Sequence, residues 1–481
     1  MASKFSVKYC VLLPLVLIIT IFLWAVPTSF FGIEALTPVQ QRVIAIFVFA
    51  ALMWIIEVIP NWTTSLLIIV LSLLTVSDKG IGFLCTPEAG TLVGYKSIMS
   101  AFADPVVMLF LGGFVLANMA TKYGLDKTLA RFLLSPFKKS RTVLLAFLLV
   151  IAIFSMFMSN TATAAMMLAL LTPVLKGLPD GDKGKVGLAL SIPVAANIGG
   201  IGTPIGTPPN ATAVKFLAEA GYEVSFGAWA VRMIPYVLIM LVIAWVILQV
   251  LFPFKTKELS LDIPKSERKT DWKTYATWII FFGTILLWMT EQWTHISSNV
   301  VALIPLGAFA ALGIFTKEDI KDINWSVLWL VAGGFALGTD LQGTGLAKVL
   351  IEAIPFTKMG IVLVFMIAGL VCYLLSNFIS NSATAALLIP ILIVIAEAFE
   401  ADPTVAGNFA AFGGTQAIIV FVATCASIAM LLPISTPPNA IASATGMVKT
   451  KDMATVGIIV GVVGFILAYL WLTKIFPFPM A

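Results

Sequence analysis

The sequence predicts an all-α integral membrane protein, an inverted-repeat transporter with about 11 transmembrane helices and two re-entrant hairpins. Three observations carry that expectation. Apolar stretches long enough to cross a bilayer recur from end to end. Short polar motifs recur in the same order in the two halves of the chain. The recurring residues are uncharged breaks inside otherwise apolar segments.

Composition comes first. Of 481 residues, 60% are hydrophobic and 11% are charged, and the mean hydropathy is +1.04. A soluble domain carries about 25% charged residues. A soluble fold has no place to bury this much apolar surface, so the bilayer is the expected solvent. A single histidine, His295, in a short polar turn, removes His-based metal clusters and Ser–His or Cys–His nucleophile pairs. Cys10, Cys85, Cys372 and Cys425 are scattered without C-x-x-C spacing and read as small buried apolar residues. The net charge of +5 is spread over connecting segments and forms no nucleic-acid stripe.

A crossing helix needs roughly 20 apolar residues. The expected spans are 9–27, 41–59, 62–77, 104–121, 186–220, 229–252, 274–291, 297–315, 326–341, 409–446 and 454–475. Residues 1–39 read as a retained first helix, because no small-x-small cleavage site follows the apolar run. Loop lysines and arginines set the orientation. Lys4, Lys8, Lys122, Lys127, Arg131, Lys138, Lys139, Arg141 and the basic linker 255–273 share one side, with Lys176, Lys317 and Lys449. The expectation is a multi-pass protein of the inner (plasma) membrane, with a cytoplasmic N-terminus and the C-terminus outside.

The internal repeat gives the domain organisation. Gly112-Gly113-Phe114 recurs 221 positions later as Gly333-Gly334-Phe335, and Gly124-Leu125 recurs at the same offset as Gly345-Leu346. Ser159-Asn160-Thr161-Ala162-Thr163 returns in that register as Ser380-Asn381-Ser382-Ala383-Thr384, and Ser155 returns as Ser376. Thr207-Pro208-Pro209-Asn210 recurs unchanged as Thr436-Pro437-Pro438-Asn439, at an offset of 229. Repeat 1 is therefore 40–254 with an inward-opening hairpin at 142–176. Repeat 2 is 274–476 with an outward-opening hairpin at 361–397. Five crossings per half put matching elements in opposite orientation, the logic of folds whose site lies mid-bilayer between interrupted helices.

Four polar breaks carry the chemistry. The turns Ser159-Asn160-Thr161 and Ser380-Asn381-Ser382 lack the Gly, Pro or charge of an exposed loop and read as hairpin tips buried in protein. Asn197–Asn210 and Pro433–Asn439 hold clustered Gly or Pro, which force a helix to unwind. Freed carbonyls with Ser and Asn oxygens suit a hard monovalent cation, and helix-start amides suit a carboxylate. Ser155 and Ser159, four apart, are expected on one side of one helix, as are Ser376 and Ser380. One cation site per repeat follows: Ser155, Ser159, Asn160 and Gly206 in the first, Ser376, Ser380, Asn381 and Ser435 in the second. No Lys or Arg lies within the breaks, and an anion buried without a cation is costly. Bound Na+ supplies the missing charge, which makes ion coupling a physical need. Glu57 and Asp340 sit near span ends and are expected at the interface.

These motifs, in this order and over nearly the whole chain, resemble the divalent anion/Na+ symporter family of Na+-coupled dicarboxylate and citrate carriers. The resemblance implies a homodimer and elevator-type movement of a transport domain against a scaffold. It also implies C4-dicarboxylates such as succinate, malate and fumarate as substrates, with Na+ as the co-transported ion. It puts the carboxylates against Asn160, Thr161, Thr207, Pro208, Asn381, Ser382, Thr436 and Pro437, with Ser380 shared between substrate and cation. The family's second tip is usually Ser-Asn-Thr; Ser382 keeps the hydroxyl and loses a methyl. Some similar proteins exchange di- or tricarboxylates without Na+, and the tip motifs leave that mode open, as they do another oxyanion such as sulfate. A channel fits poorly with paired buried tips, and an enzyme lacks a nucleophile–base pair.

Overall fold

The computed structural model describes residues 11–33, 35–259, 271–353 and 356–478. Lys4, Lys8, Cys10 and linker residues 260–270 lie outside the described residues, as does the side chain of Lys176.

Helices make up the fold. Among the described residues the only β-type pairings are isolated bridges, Ser77 with Val93 and Lys139 with Glu258. A bilayer core imposes this, since each helix satisfies its own backbone polar groups. Six described helices are long and apolar enough to cross a membrane: Pro38–Ile56, Tyr95–Lys122, Ser140–Phe157, Phe226–Leu251, Asn381–Ala401 and Thr450–Ile475. Several others, Leu13–Ala25 and Gly414–Ser427 among them, are apolar but shorter. The outer faces are apolar too. Leu238, Val242, Val246 and Val250 are exposed at every fourth position of Phe226–Leu251, and Ile458, Val462, Ile466 and Leu470 repeat the pattern on the last long helix. Such stripes would aggregate in water and match acyl chains.

The two expected hairpins are helix pairs. Ser140–Phe157 leads through Met158 and Ser159 into Asn160–Gly177, and Ile361–Ser376 leads into Asn381–Ala401. Ser159 and Ser380 are the N-caps of the second arms; their hydroxyls accept from the amides of Ala162 and Ala383, each at 3.2 Å. Both expected unwound segments are present. The first separates Gly184–Gly200 from Pro208–Glu219, and the second separates Gly414–Ser427 from Pro437–Ala444. The second break opens at Ile428, before Pro433, and so runs longer than its prolines indicate.

Close backbone approach explains the repeated glycine pairs. A Cβ on Gly333 would strike Ser65, and one on Gly334 would strike Ala386. One on Gly112 would meet the Ala302 carbonyl. The two halves then interlock. Pro208–Glu219 packs on Asn381–Ala401 and Gly414–Ser427, while Pro437–Ala444 packs on Asn160–Gly177 and Gly184–Gly200. Each resumed half-helix thus rests on the other half's hairpin arm.

Candidate functional site

Four helices begin at one cavity. Asn160–Gly177, Pro208–Glu219, Asn381–Ala401 and Pro437–Ala444 all start there, and their N-caps Ser159, Thr207, Ser380 and Thr436 line it. The cavity holds about 260 Å³, below the ~300–1,000 Å³ of sites for drug-sized ligands. Its described lining has no Asp, Glu, Lys or Arg; Phe110, Phe114, Ile205, Val327 and Leu330 give it an apolar waist. Helix N-termini carry the positive end of the peptide dipole, so four of them create an anion site without a formal cation.

The four starts are of two kinds. The amides of Asn160 and Thr161, and those of Asn381 and Ser382, open their helices and donate to no protein acceptor among the described residues. Each tip therefore presents a pair of N–H groups. The other two helices open on Pro-Pro and have no N–H at their first two positions. Their first available amides are used internally: Asn210 N donates to the Thr207 carbonyl at 3.1 Å, and Asn439 N to Thr436 Oγ1 at 3.3 Å. These starts contribute dipole and shape, and no backbone donor.

The unwound loops are held by the last residue of each Thr-Pro-Pro-Asn motif. Asn210 Nδ2 donates to the carbonyls of Gly200 (3.0 Å), Ile201 (3.3 Å) and Thr203 (2.8 Å). Asn439 Nδ2 donates to those of Met430 and Leu432, each at 2.9 Å. At the first tip, Asn160 presents its amide nitrogen to the Gly206 carbonyl (3.0 Å), the Ala196 carbonyl (3.3 Å) and Ser155 Oγ (2.6 Å). Ser155 donates in turn to Ala196 O at 2.7 Å. At the second tip Asn377 and Ser435 make the link: Leu431 N donates to Asn377 Oδ1, and Ser435 Oγ to Asn377 O, both at 2.8 Å. Asn381 Oδ1 is buried without a hydrogen-bond partner among the described residues, an oxygen acceptor available to a cation.

Residues 51–413 match the family described as Citrate transporter. The chain belongs to that citrate transporter family. It is 31% identical over 447 residues to an "Uncharacterized transporter" of Haemophilus influenzae, covering 89% of this chain and 90% of that protein. It is 29% identical over 472 residues to the "Sodium-dependent dicarboxylate transporter SdcS" of Staphylococcus aureus, with 90% and 86% covered. The protein of that name in Staphylococcus saprophyticus matches at 29% over 466 residues, with 89% and 84% covered. This citrate-transporter-family chain is an all-α integral membrane transporter and not an enzyme.

All nine residues expected at the substrate line the cavity of this transporter: Asn160, Thr161, Thr207, Pro208, Ser380, Asn381, Ser382, Thr436 and Pro437. Of the expected cation ligands, Ser159, Asn160, Gly206, Ser380, Asn381 and Ser435 line it as well. Ser155 and Ser376 are fully buried behind it. The shared-face argument for the serines fails: Ser140–Phe157 ends before Ser159, and Met158 is extended (φ −128°, ψ 159°), so Ser155 and Ser159 belong to different helices. Asp340 is also misplaced by the sequence reading. It is wholly buried, and Ser72 Oγ donates to its carboxylate. Glu57 is exposed, at a left-handed helix C-cap. Of the cysteines, Cys372 and Cys425 are buried and Cys85 is partly exposed.

Sequence reasoning missed Asn61 and Asn324, which line the cavity from helices outside the repeated motifs. Asn61 Nδ2 donates to Glu57 Oε1 at 3.0 Å and reaches Ser380 Oγ at 3.4 Å. The only signal was an Asn opening an apolar helix, which is also an ordinary capping pattern.

Proposed function

We propose that this protein is a secondary active transporter that couples Na+ to uptake of C4-dicarboxylates such as succinate, malate and fumarate. One observation carries the reading: among the described residues, two tips, each with a free pair of N–H groups, face one small cavity without a charged lining residue. Two donor pairs suit two carboxylates, and the apolar waist suits the carbons between them. Two negative charges at such a site need compensation, which Na+ provides at the tip oxygens. The relatives named for sodium-dependent dicarboxylate transport support the same reading.

The proposed architecture has two oppositely inserted repeats, 40–254 and 274–476, with hairpins 142–176 and 361–397 entering from inside and outside. The protein works as a homodimer in the inner (plasma) membrane, N-terminus cytoplasmic, and carries its substrate by elevator-type movement. The cation sites are Ser155, Ser159, Asn160 and Gly206 in one repeat and Ser376, Ser380, Asn381 and Ser435 in the other. Labelled succinate uptake into proteoliposomes, with and without an inward Na+ gradient, tests the reading. Gradient-driven accumulation is expected. Uptake that needs internal dicarboxylate and ignores Na+ would replace symport by exchange.

A further inference from the structure

We infer that Asn197 is a positioning residue: it braces the Thr436–Asn439 pair, in which Asn439 takes the Thr436 proton, at the start of Pro437–Ala444, and Thr207 alone of the two motif threonines offers the substrate a side-chain donor. The substrate named rests on the dicarboxylate reading above; the lock itself does not.

The two threonines are repeat equivalents, and both line the cavity. Their hydroxyls are used differently. A hydroxyl has one proton to give and two lone pairs. Thr436 Oγ1 gives its proton to Asn439 Oδ1 at 3.1 Å. It accepts from Asn439 N at 3.3 Å and from Asn197 Nδ2 at 3.1 Å. Its capacity is spent. Thr207 makes no side-chain capping bond, and Asn210 Oδ1, the counterpart of the oxygen that takes the Thr436 proton, is buried without a hydrogen-bond partner among the described residues. The Thr207 hydroxyl is free to meet a carboxylate oxygen.

Asn197 braces the spent pair, with its amide nitrogen directed at both members. It is 1% exposed, belongs to Gly184–Gly200 of the first half, and also reaches Asn439 Oδ1 at 3.4 Å. It is a first-half side chain that hydrogen-bonds the second half's Thr-Pro-Pro-Asn motif. At the 229-residue offset of those motifs the matching position is Ala426, which has no donor, so Thr207 receives no equivalent bond. A pseudo-symmetric fold thereby acquires an asymmetric site: one substrate end meets a hydroxyl and a tip, the other a tip alone.

The test is a double-substitution cycle on succinate uptake in proteoliposomes. Asn197→Ala and Thr436→Val break the same bond. Each should loosen the helix start that lines the cavity and raise KM by roughly three- to tenfold, with kcat within about twofold, the size of one modest hydrogen bond. The double variant should be no worse than the poorer single one, and Thr436→Ser, which keeps the hydroxyl, should restore the normal KM. Thr207→Val should multiply with Asn197→Ala. An unchanged KM in Asn197→Ala, or full multiplication between Asn197→Ala and Thr436→Val, would overturn the proposal. The same cycle on melting temperature in detergent reads the Asn197–Thr436 coupling without transport. If the unmodified protein ignored succinate, the dicarboxylate reading would fail while the melting cycle still decided the lock: non-additive shifts support it and additive shifts overturn it.

Discussion

Asn210 and Asn439 replace the hydrogen bonds of a missing helical turn, each with one amide nitrogen donating to two or more loop carbonyls. Removing the donor strands buried carbonyls, at about 1–3 kcal/mol for an unsatisfied group. Asn439→Ala, and Asn439→Asp despite its matching shape, should each lower the melting temperature in detergent; an unchanged value in both would refute the clamp. The tip asparagines differ in kind. Asn160→Ala and Asn381→Ala should abolish succinate uptake while the protein stays folded in the membrane, and normal uptake by both would remove the tips from the site. Residues of this sort were largely legible in the sequence, because a polar residue repeated in register inside apolar helix has few structural reasons to recur. The division of labour among them was not. That Thr436 is saturated and Thr207 free depends on how each motif's Asn is turned and on Asn197, which lies 239 residues from Thr436 in the chain and whose counterpart at the motif offset is an alanine. Asp340 escaped for a related reason: its partner Ser72 belongs to a distant helix, and proximity to a span end says nothing about what packs over it.

Single prolines such as Pro235 and Pro390 stay inside helices, while both unwound segments contain a cluster of Gly or Pro, so their existence could be read from that clustering. Their extent could not, since carbonyls such as that of Met430 are released when a side chain nine positions away takes them. Loops follow the same physics. Asp182 accepts from the amides of Gly184 (2.9 Å), Lys255 (3.2 Å) and Thr256 (3.0 Å), pinning the start of the basic linker to the loop after the first hairpin. Burial alone would raise this carboxyl, but those amides and the Thr256 hydroxyl together hold it below the usual range. A folded-state pKa lower than the unfolded value of about 3.9 gives stability that is fully present above that pH and lost as pH falls through the folded value. Melting temperature should therefore decline from pH 5 to pH 3 more steeply in the unmodified protein than in Asp182→Asn. Parallel curves would show that the carboxylate anchors nothing. Glycine packing offers a second check at this scale. A side chain at Gly333 meets Ser65, so Gly333→Leu should cost at least the ~1–3 kcal/mol typical of overpacking.

At the scale of the whole molecule, the reciprocal seating of each resumed half-helix on the other half's hairpin arm ties the fold to the proposed opposite insertion of the repeats. Two hairpins can bring their tips to one cavity from the same face of the membrane or from opposite faces. Only the second arrangement lets a two-sided carrier close either end of its site while the tips stay together. The sequence favours it through the lysines and arginines around the first hairpin, Lys138, Lys139 and Arg141 before it and Lys183 and Lys185 after it, against Lys348 and Lys358 before the second and none among residues 398–407 after it. The ends of the two hairpins are accessible to chemistry: Pro179 and Gly181 lie in the turn after the first, Asp402 and Thr404 in the turn after the second. Single cysteines at Gly181 and Thr404, placed in a background lacking Cys10 and the partly exposed Cys85, should react with a membrane-impermeant maleimide from opposite sides of sealed vesicles. Gly181→Cys should label only from the cytoplasmic face and Thr404→Cys only from the outer face. Labelling of both from one side would make the repeats parallel, and an alternating-access site between inverted tips would then have no geometric basis.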